Sequence, residues 1–290
     1  MTGVLLMAHG TPSSLDEMPE YLTRVRGGRA PSPELIAEMR HNYEAIGGRS
    51  PLTELTFAQG AALHARLGPR IPVVVGMRNW KPYLGDAVAH LVQTGVTRIV
   101  AIPLAPQFST LSVAKYFQAA EAGLPDGVEL VRVASFHEHP LLVEAFAARI
   151  REAAAQPDEE VVFTAHSLPT RVIREGDRYA AEVAATARAV AARAGITRYH
   201  RAFQSAGRTP EPWMGLDLGE FLRHRVRMGS RAFLVVPIGF VCDHTEILFD
   251  IDLQAAGVAR ELGVPLRRTV SLNDSPTFID LLESLVRERL

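Results

Sequence analysis

Short apolar runs alternate with longer stretches of helical period along the chain. The runs fall at 4–8, 71–76, 98–103, 128–134, 160–165, 199–203, 232–237 and 266–270, and most are rich in Val and Ile. They are too short for helices and read as strands buried on both faces. Between them the pattern predicts helices over 33–46, 52–66, 83–94, 140–155, 179–194, 216–227, 246–262 and 276–289. Strand–helix alternation at this spacing gives parallel sheets covered by helices, a doubly wound α/β architecture. Ligands then belong at the carboxyl ends of the strands.

The two halves of the chain resemble each other. The first predicted strand ends in Ala8-His9-Gly10-Thr11-Pro12, and a later one in Ala165-His166-Ser167-Leu168-Pro169. The segments VAIPLAP at 100–106 and VVPIGF at 235–240 match as strand, proline and loop. The expected organisation is two similar Rossmann-like α/β domains, 1–140 and 141–290, facing a common cleft. The last helix is free to pack back on the N-terminal domain.

Composition narrows the function classes. The 290 residues are 47% hydrophobic and 22% charged, typical of a globular protein. Lys+Arg 31 against Asp+Glu 32 leaves a formal charge of -1, so no basic excess is available for nucleic acid. The one cysteine, Cys242, excludes an internal disulfide, a CxxC zinc site and a four-cysteine cluster, and fits a reducing, cytoplasmic setting. Residues 1–12 read as a first strand rather than a signal peptide, and no apolar run reaches membrane-spanning length. There is no GxGxxG, Walker, GxSxG or HExxH motif.

Candidate chemistry gathers at strand ends. His166 closes the run VVFTAH, where a neutral imidazole can accept a proton or hold a metal. His9 sits in the matching place of the first half, so the two could address both sides of one flat ligand. The densest signal is 237–250, PIGFVCDHTEILFD. In a regular helix Glu246 and Asp250 share one face, with Gln254 continuing it, and such a stripe can pass a divalent cation along. The bland alternative is compensation of the helix dipole. Trp213, on the proline-flanked loop 204–213, is placed to be a lid or platform for an aromatic ligand, or an anchor for its own loop. Arg24, Arg26 and Arg29, around Gly27 and Gly28, could clasp carboxylates or form a solvated face. The consecutive His137, Glu138 and His139 point in different directions and make a poor metal site.

With these residues in place, the chain resembles the ferrochelatases, which insert ferrous iron into a porphyrin. The resemblance rests on MAHGTP at 7–12, RGGRAPSPE at 26–34, YEAIGGRSPL at 43–52, GMRNWKP at 76–82 and PLAPQFSTLSVAKY at 103–116. It continues with FTAHSLP at 163–169, QSAGRTPEPW at 204–213 and PIGFVCDHTEILFDID at 237–252. The wording is most similar to the short soluble branch that uses coproporphyrin III. The resemblance implies a chelatase-type fold, with His166 and Glu246 as catalytic residues and His166, Glu246 and Asp250 handling the metal. It places His9 where that branch usually has an axial tyrosine. Propionate contacts fall on Arg26, Tyr43, Ser50 and Tyr116. Asn42 replaces a basic residue beside Tyr43, and Trp213 joins the porphyrin-binding set. Iron and porphyrin are then substrates, with no permanently bound cofactor. The implied enzyme is a cytoplasmic monomer of haem biosynthesis, in contact with other enzymes of that route. The competing readings are a protoporphyrin IX ferrochelatase, a chelatase for another tetrapyrrole, and a non-catalytic haem carrier.

Overall fold

The structure is a computed structural model that describes residues 1–207 and 209–290. Arg208, inside the segment 204–213 read above as a lid, lies outside the described residues. One parallel sheet contains β1 (Thr2–Ala8), β2 (Val73–Met77), β3 (Arg98–Pro103) and β4 (Glu129–Arg132), in the order β2-β1-β3-β4. A second contains β5 (Glu159–His166), β6 (Tyr199–Gln204), β7 (Ala232–Val236) and β8 (Leu266–Arg268), in the order β6-β5-β7-β8. The two orders are the same, so β1 and β5 hold equivalent interior places. The α/β architecture read from the apolar pattern is therefore the observed one. Residues 3–8 of β1 are all buried, as expected of a strand covered on both faces. Leu6 pairs in register with Val75 of β2 and Ile102 of β3, and Val162 with His200 of β6 and Val235 of β7.

The helices are α1 (Met18–Val25), α2 (Pro33–Ala45), α3 (Leu52–Leu67), α4 (Leu84–Gln93), α5 (Val113–Glu121) and α6 (Pro140–Glu152). The second half adds α7 (Thr170–Arg174), α8 (Tyr179–Ala194), α9 (Leu218–Arg227), α10 (Thr245–Leu248), α11 (Ala256–Glu261) and α12 (Pro276–Arg287). Local chemistry marks several starts. Ser32 accepts a hydrogen bond from the Leu35 amide with Pro33 in the first turn, and Asp217 accepts from Gly219. His139 does the same for Leu141 at the start of α6, and its other face meets Glu288.

Two expectations need correction. Helices α1, α5 and α7 form where no helix was predicted, because their sequences carry Pro, Ser and Thr punctuation or are too short to show a period. The single helix expected over 246–262 is broken. After α10 the chain forms a π-helical segment, Asp250–Ala255, before α11. The Gln254 amide donates to the Phe249 carbonyl five residues back, at 2.8 Å.

The largest core cluster runs through both halves, from Val4 and Ile102 to Phe163, Val236 and Val286. Helix α12 packs on α6 and returns to α3 of the first half, burying Phe278, Leu281, Leu282, Leu285 and Val286. Each such side chain contributes about 1.5–3 kcal/mol on burial.

Buried polar groups also join the halves across the loop after β3. Asp177 Oδ2 accepts from the Thr110 amide (2.6 Å), the Thr110 hydroxyl (2.7 Å) and the Ser109 hydroxyl (3.2 Å). Glu182 Oε2 accepts from the Phe108 amide at 2.7 Å, and Gln107 Nε2 donates to Thr186 Oγ1 and to the Ile238 carbonyl, both at 3.1 Å.

Candidate active site at the facing strand ends

His166 is the last residue of β5, and the turn after β7 closes against it. Gly239 makes that closure possible. A Cβ at Gly239 would lie 2.7 Å from Ala165 Cβ and 2.8 Å from Ala165 Cα, and its amide donates to the Thr164 carbonyl at 3.1 Å. The turn is tied down further by Asp243, which accepts from Ser271 (2.7 Å) and Asn273 (3.0 Å) and pairs with Arg268 at 3.0 Å. It delivers His244 and Glu246 beside His166. His166 Nε2 lies 3.6 Å from Glu246 Oε1, and His244 Nε2 lies 3.7 Å from Glu246 Oε2. The His244 ring leans on Phe240, centroids 4.6 Å apart. Gln204 Nε2 donates to the Glu246 carbonyl at 2.7 Å and fixes the peptide that carries the carboxylate.

The electrostatics favour an ionised Glu246. Burial pushes its carboxyl upward, but the His166 charge, the His244 hydrogen bond and charge, and the His9 charge outweigh burial and hold it at about 2. His166 Nδ1 contacts the Ser167 carbonyl, an acceptor only, so that nitrogen carries the proton and Nε2 is the basic atom. The facing carboxylate then stabilises a proton arriving on Nε2. The two side chains keep 31% and 38% exposure, so a ligand can reach both.

The first half contributes a matching corner. His9 follows β1, its Nδ1 lies 3.0 Å from the Gly10 carbonyl and 3.3 Å from Tyr21 Oη, and its Nε2 lies 3.0 Å from Asn79 Nδ2. Gly10, at φ +85°, allows the chain to pass Trp80, whose amide nitrogen a Cβ would approach to 2.8 Å. Burial lowers the His9 pKa, opposed by the Gly10 hydrogen bond and the Glu246 charge. Burial likewise raises Tyr21, Tyr43 and Tyr116, so these hydroxyls stay neutral.

The predicted residues divide into those brought together and those placed elsewhere. His166 and Glu246 meet, and His9 acts electrostatically on Glu246 from the other half. Tyr43 is buried and shares a hydrogen bond with Thr11 at 2.7 Å. Tyr116 is buried and feels the charges of Arg78 and Glu246. Ser50 accepts from the Leu52 amide at 3.3 Å at the start of α3, Asn42 is half-buried on α2, and Arg26 is exposed beyond α1. Trp213 is secured to its own loop, with Nε1 donating to Thr209 Oγ1 at 3.0 Å and Gly207 against its ring.

Asp250 lies within electrostatic reach of Glu246, His166 and His244. It accepts a hydrogen bond from Ser205, which is held at φ +59°, and lines a cavity of about 120 Å³ with Gln204, Asp217, Glu220 and Gln254. Burial pushes the Asp250 carboxyl up to about 6, with the Ser205 hydrogen bond opposing and the Glu246 charge adding. Among the described residues no three His, Cys, Asp or Glu side chains form a group that could hold a metal ion.

Sequence reasoning missed His244, Tyr21, Arg78 and Asn79. Arg78 and Asn79 lie within the block GMRNWKP and His244 within 237–250, so the segments were visible but not these roles. Tyr21 carried no signal.

Comparison with known proteins gives a consistent result. The family model described as Ferrochelatase matches residues 1–290. A ferrochelatase of Deinococcus radiodurans is 43% identical, over 99% of this chain and 95% of the relative. One of Thermus thermophilus is 42% identical over 98% of each chain, and a coproporphyrin III ferrochelatase of Bacillus subtilis is 36% identical over 99% and 97%. Among solved structures, the sirohydrochlorin chelatase SirB from Bacillus subtilis subspecies spizizenii in complex with cobalt superposes with a TM-score of 0.56. It is 11% identical, over 99% of this chain and 94% of that one, a likeness of fold alone. The sheets, the strand-end corner and the full-length family match agree: this chain belongs to the ferrochelatase family.

Proposed function

We propose that this protein inserts ferrous iron into coproporphyrin III, with His166 and Glu246 as its catalytic residues. The observation that carries the reading is His166 Nε2 set 3.6 Å from the Glu246 carboxylate, with both side chains partly exposed to an incoming ligand. Insertion requires two pyrrole N–H protons to leave as the dication enters. His166 Nε2 accepts the two pyrrole protons in turn, releasing each to solvent from its partly exposed ring, and the Glu246 carboxylate stabilises the imidazolium formed each time and attracts the incoming cation. Asp250, in the adjoining cavity, supplies a second negative charge on the cation's path. A site wall that holds the macrocycle puckered would expose its nitrogen lone pairs to the cation. Arg26, Asn42, Tyr43, Ser50, Tyr116 and Trp213 are assigned to porphyrin binding, and His9 to the face across from His166. Coproporphyrin III is favoured over protoporphyrin IX by the short-branch wording of the sequence and by relatives named for that substrate. Iron and porphyrin are substrates here, and a monomer acting in the cytoplasm completes the proposal.

Anaerobic incubation with coproporphyrin III and ferrous iron, followed by absorption spectroscopy, tests it. The four-band free-base spectrum should become the two-band metallated one, faster than with protoporphyrin IX. His166→Ala and Glu246→Gln should each slow turnover by about 10²–10⁴-fold while porphyrin still binds. Near-normal turnover in His166→Ala would overturn the mechanism, and a faster reaction with protoporphyrin IX would overturn the substrate.

A further inference from the structure

We propose that Asn79 keeps the His9 imidazole from ligating iron, and so sets how firmly the protein retains its metallated product. The proposal rests on the reading of the cleft as a porphyrin site. Its starting point is the shared strand order of the two sheets. β1 and β5 occupy the same place, and His9 follows Ala8 as His166 follows Ala165. Each imidazole stands at the carboxyl end of an interior strand, and both act on Glu246.

An imidazole with an open Nε2 lone pair is a strong ligand for haem iron. The His9 lone pair is not open. Nδ1 lies 3.0 Å from the Gly10 carbonyl oxygen, which can only accept, so Nδ1 carries the hydrogen. Nε2 is then the unprotonated atom, and the Asn79 side-chain amide donates to it at 3.0 Å. Turning the amide over would set its carbonyl oxygen against that lone pair. The opposite tautomer would set the Nδ1 lone pair against the Gly10 carbonyl.

Asn79 is held ready for this contact. It is 5% exposed, and its own amide donates to the His9 carbonyl at 2.9 Å. The Arg78 amide donates to the Ala8 carbonyl, also at 2.9 Å, so the chain leaving β2 is stitched to the chain leaving β1. The His9 ring is steadied from the side by Tyr21, edge-on with centroids 6.2 Å apart, and Tyr21 by Trp80 at 6.0 Å. Iron can bind His9 only by displacing the Asn79 amide. The side chain thereby converts a strong potential ligand into a weak one, and the product leaves more readily.

The test supplies iron coproporphyrin III directly, so it does not depend on turnover. Asn79→Ala should expose Nε2 and produce a low-spin, imidazole-ligated spectrum that the wild type lacks. The same variant should bind the iron porphyrin about 2- to 10-fold tighter, the range one neutral hydrogen bond allows. The double variant His9→Ala with Asn79→Ala should lose both effects. Asn79→Asp separates this role from general damage to the corner. Its carboxylate draws a proton onto Nε2, and an imidazolium cannot ligate, so its spectrum should match the wild type. An Asn79→Ala spectrum unchanged from wild type, a band that survives removal of His9, or a wild type already ligated by His9 would each overturn the proposal. A His9-dependent band in a protein that does not metallate porphyrin would reject the functional reading and leave this one standing.

Discussion

Asp250 carries a carboxyl whose surroundings oppose its charge. Its folded-state value of about 6 stands above the ordinary 3.8, burial being the first cause. The protonated form therefore favours the fold. That contribution is fully present below pH 3.8 and is lost as the pH rises through 6. The substitution Asp250→Asn isolates the effect, because it keeps an acceptor for Ser205 and removes the charge. This variant should raise the melting temperature by ~2–4 °C at pH 8 and change it little at pH 3.5, read by thermal unfolding at both pH values. An equal shift at both would mean that packing, not charge, is responsible. At this scale the sequence was only partly legible. His166 and Glu246 stood out because a strand end and an acidic helix start are local features. Asn79 and His244 did not, because their roles depend on residues brought near by folding. His9 meets Asn79 across 70 positions of chain, and His244 gains its place from a turn pinned by Asp243.

The turn after β7 is the element on which the corner depends. Its approach to β5 leaves no room beyond hydrogen at Gly239, where the nearest neighbours are the Cα and Cβ of Ala165 rather than the tip of a flexible side chain. Gly239→Ala should cost about 1–3 kcal/mol of stability. It should also slow metallation, since any relief moves His166 or the segment that carries Glu246. Urea unfolding and the spectroscopic assay check the two parts, and an unaffected variant would show that the turn yields more easily than the geometry implies. Strands were the most legible elements, because burial on both faces writes an uninterrupted apolar run such as VLLMA in β1 or AFLVV in β7. The π-helical segment was not legible. One extra residue in a turn leaves the apolar spacing of a short helix nearly unchanged, so the sequence suggested one continuous helix over 246–262. α5 stayed hidden behind the Pro-, Ser- and Thr-rich run at 103–112, whose backbone donors go to side chains of the other half.

Across the whole molecule the two halves are joined by apolar packing and by carboxylates set into the seam. Asp177 shows why a charge is used there. Its Oδ2 accepts from the Thr110 amide and its Oδ1 from the Tyr179 amide, two backbone donors that cannot rotate away. A side-chain amide offers one oxygen only, so Asp177→Asn leaves one N–H facing another. The expected loss is about 1–3 kcal/mol, seen as a lower urea midpoint with an unchanged slope. A midpoint equal to wild type would place the strength of the seam in the apolar cluster alone. The duplicated layout was legible from the paired A-H-x-x-P strand ends, whereas the seam was not, since its partners share no spacing in the chain. The return of α12 to α3 has a consequence for biosynthesis. During translation the first half is made early, yet part of its apolar surface stays bare until residues 276–287 follow. Nascent chains thus pass through an interval of exposed hydrophobic surface, when chaperones or proteases compete with α12 for the same groove.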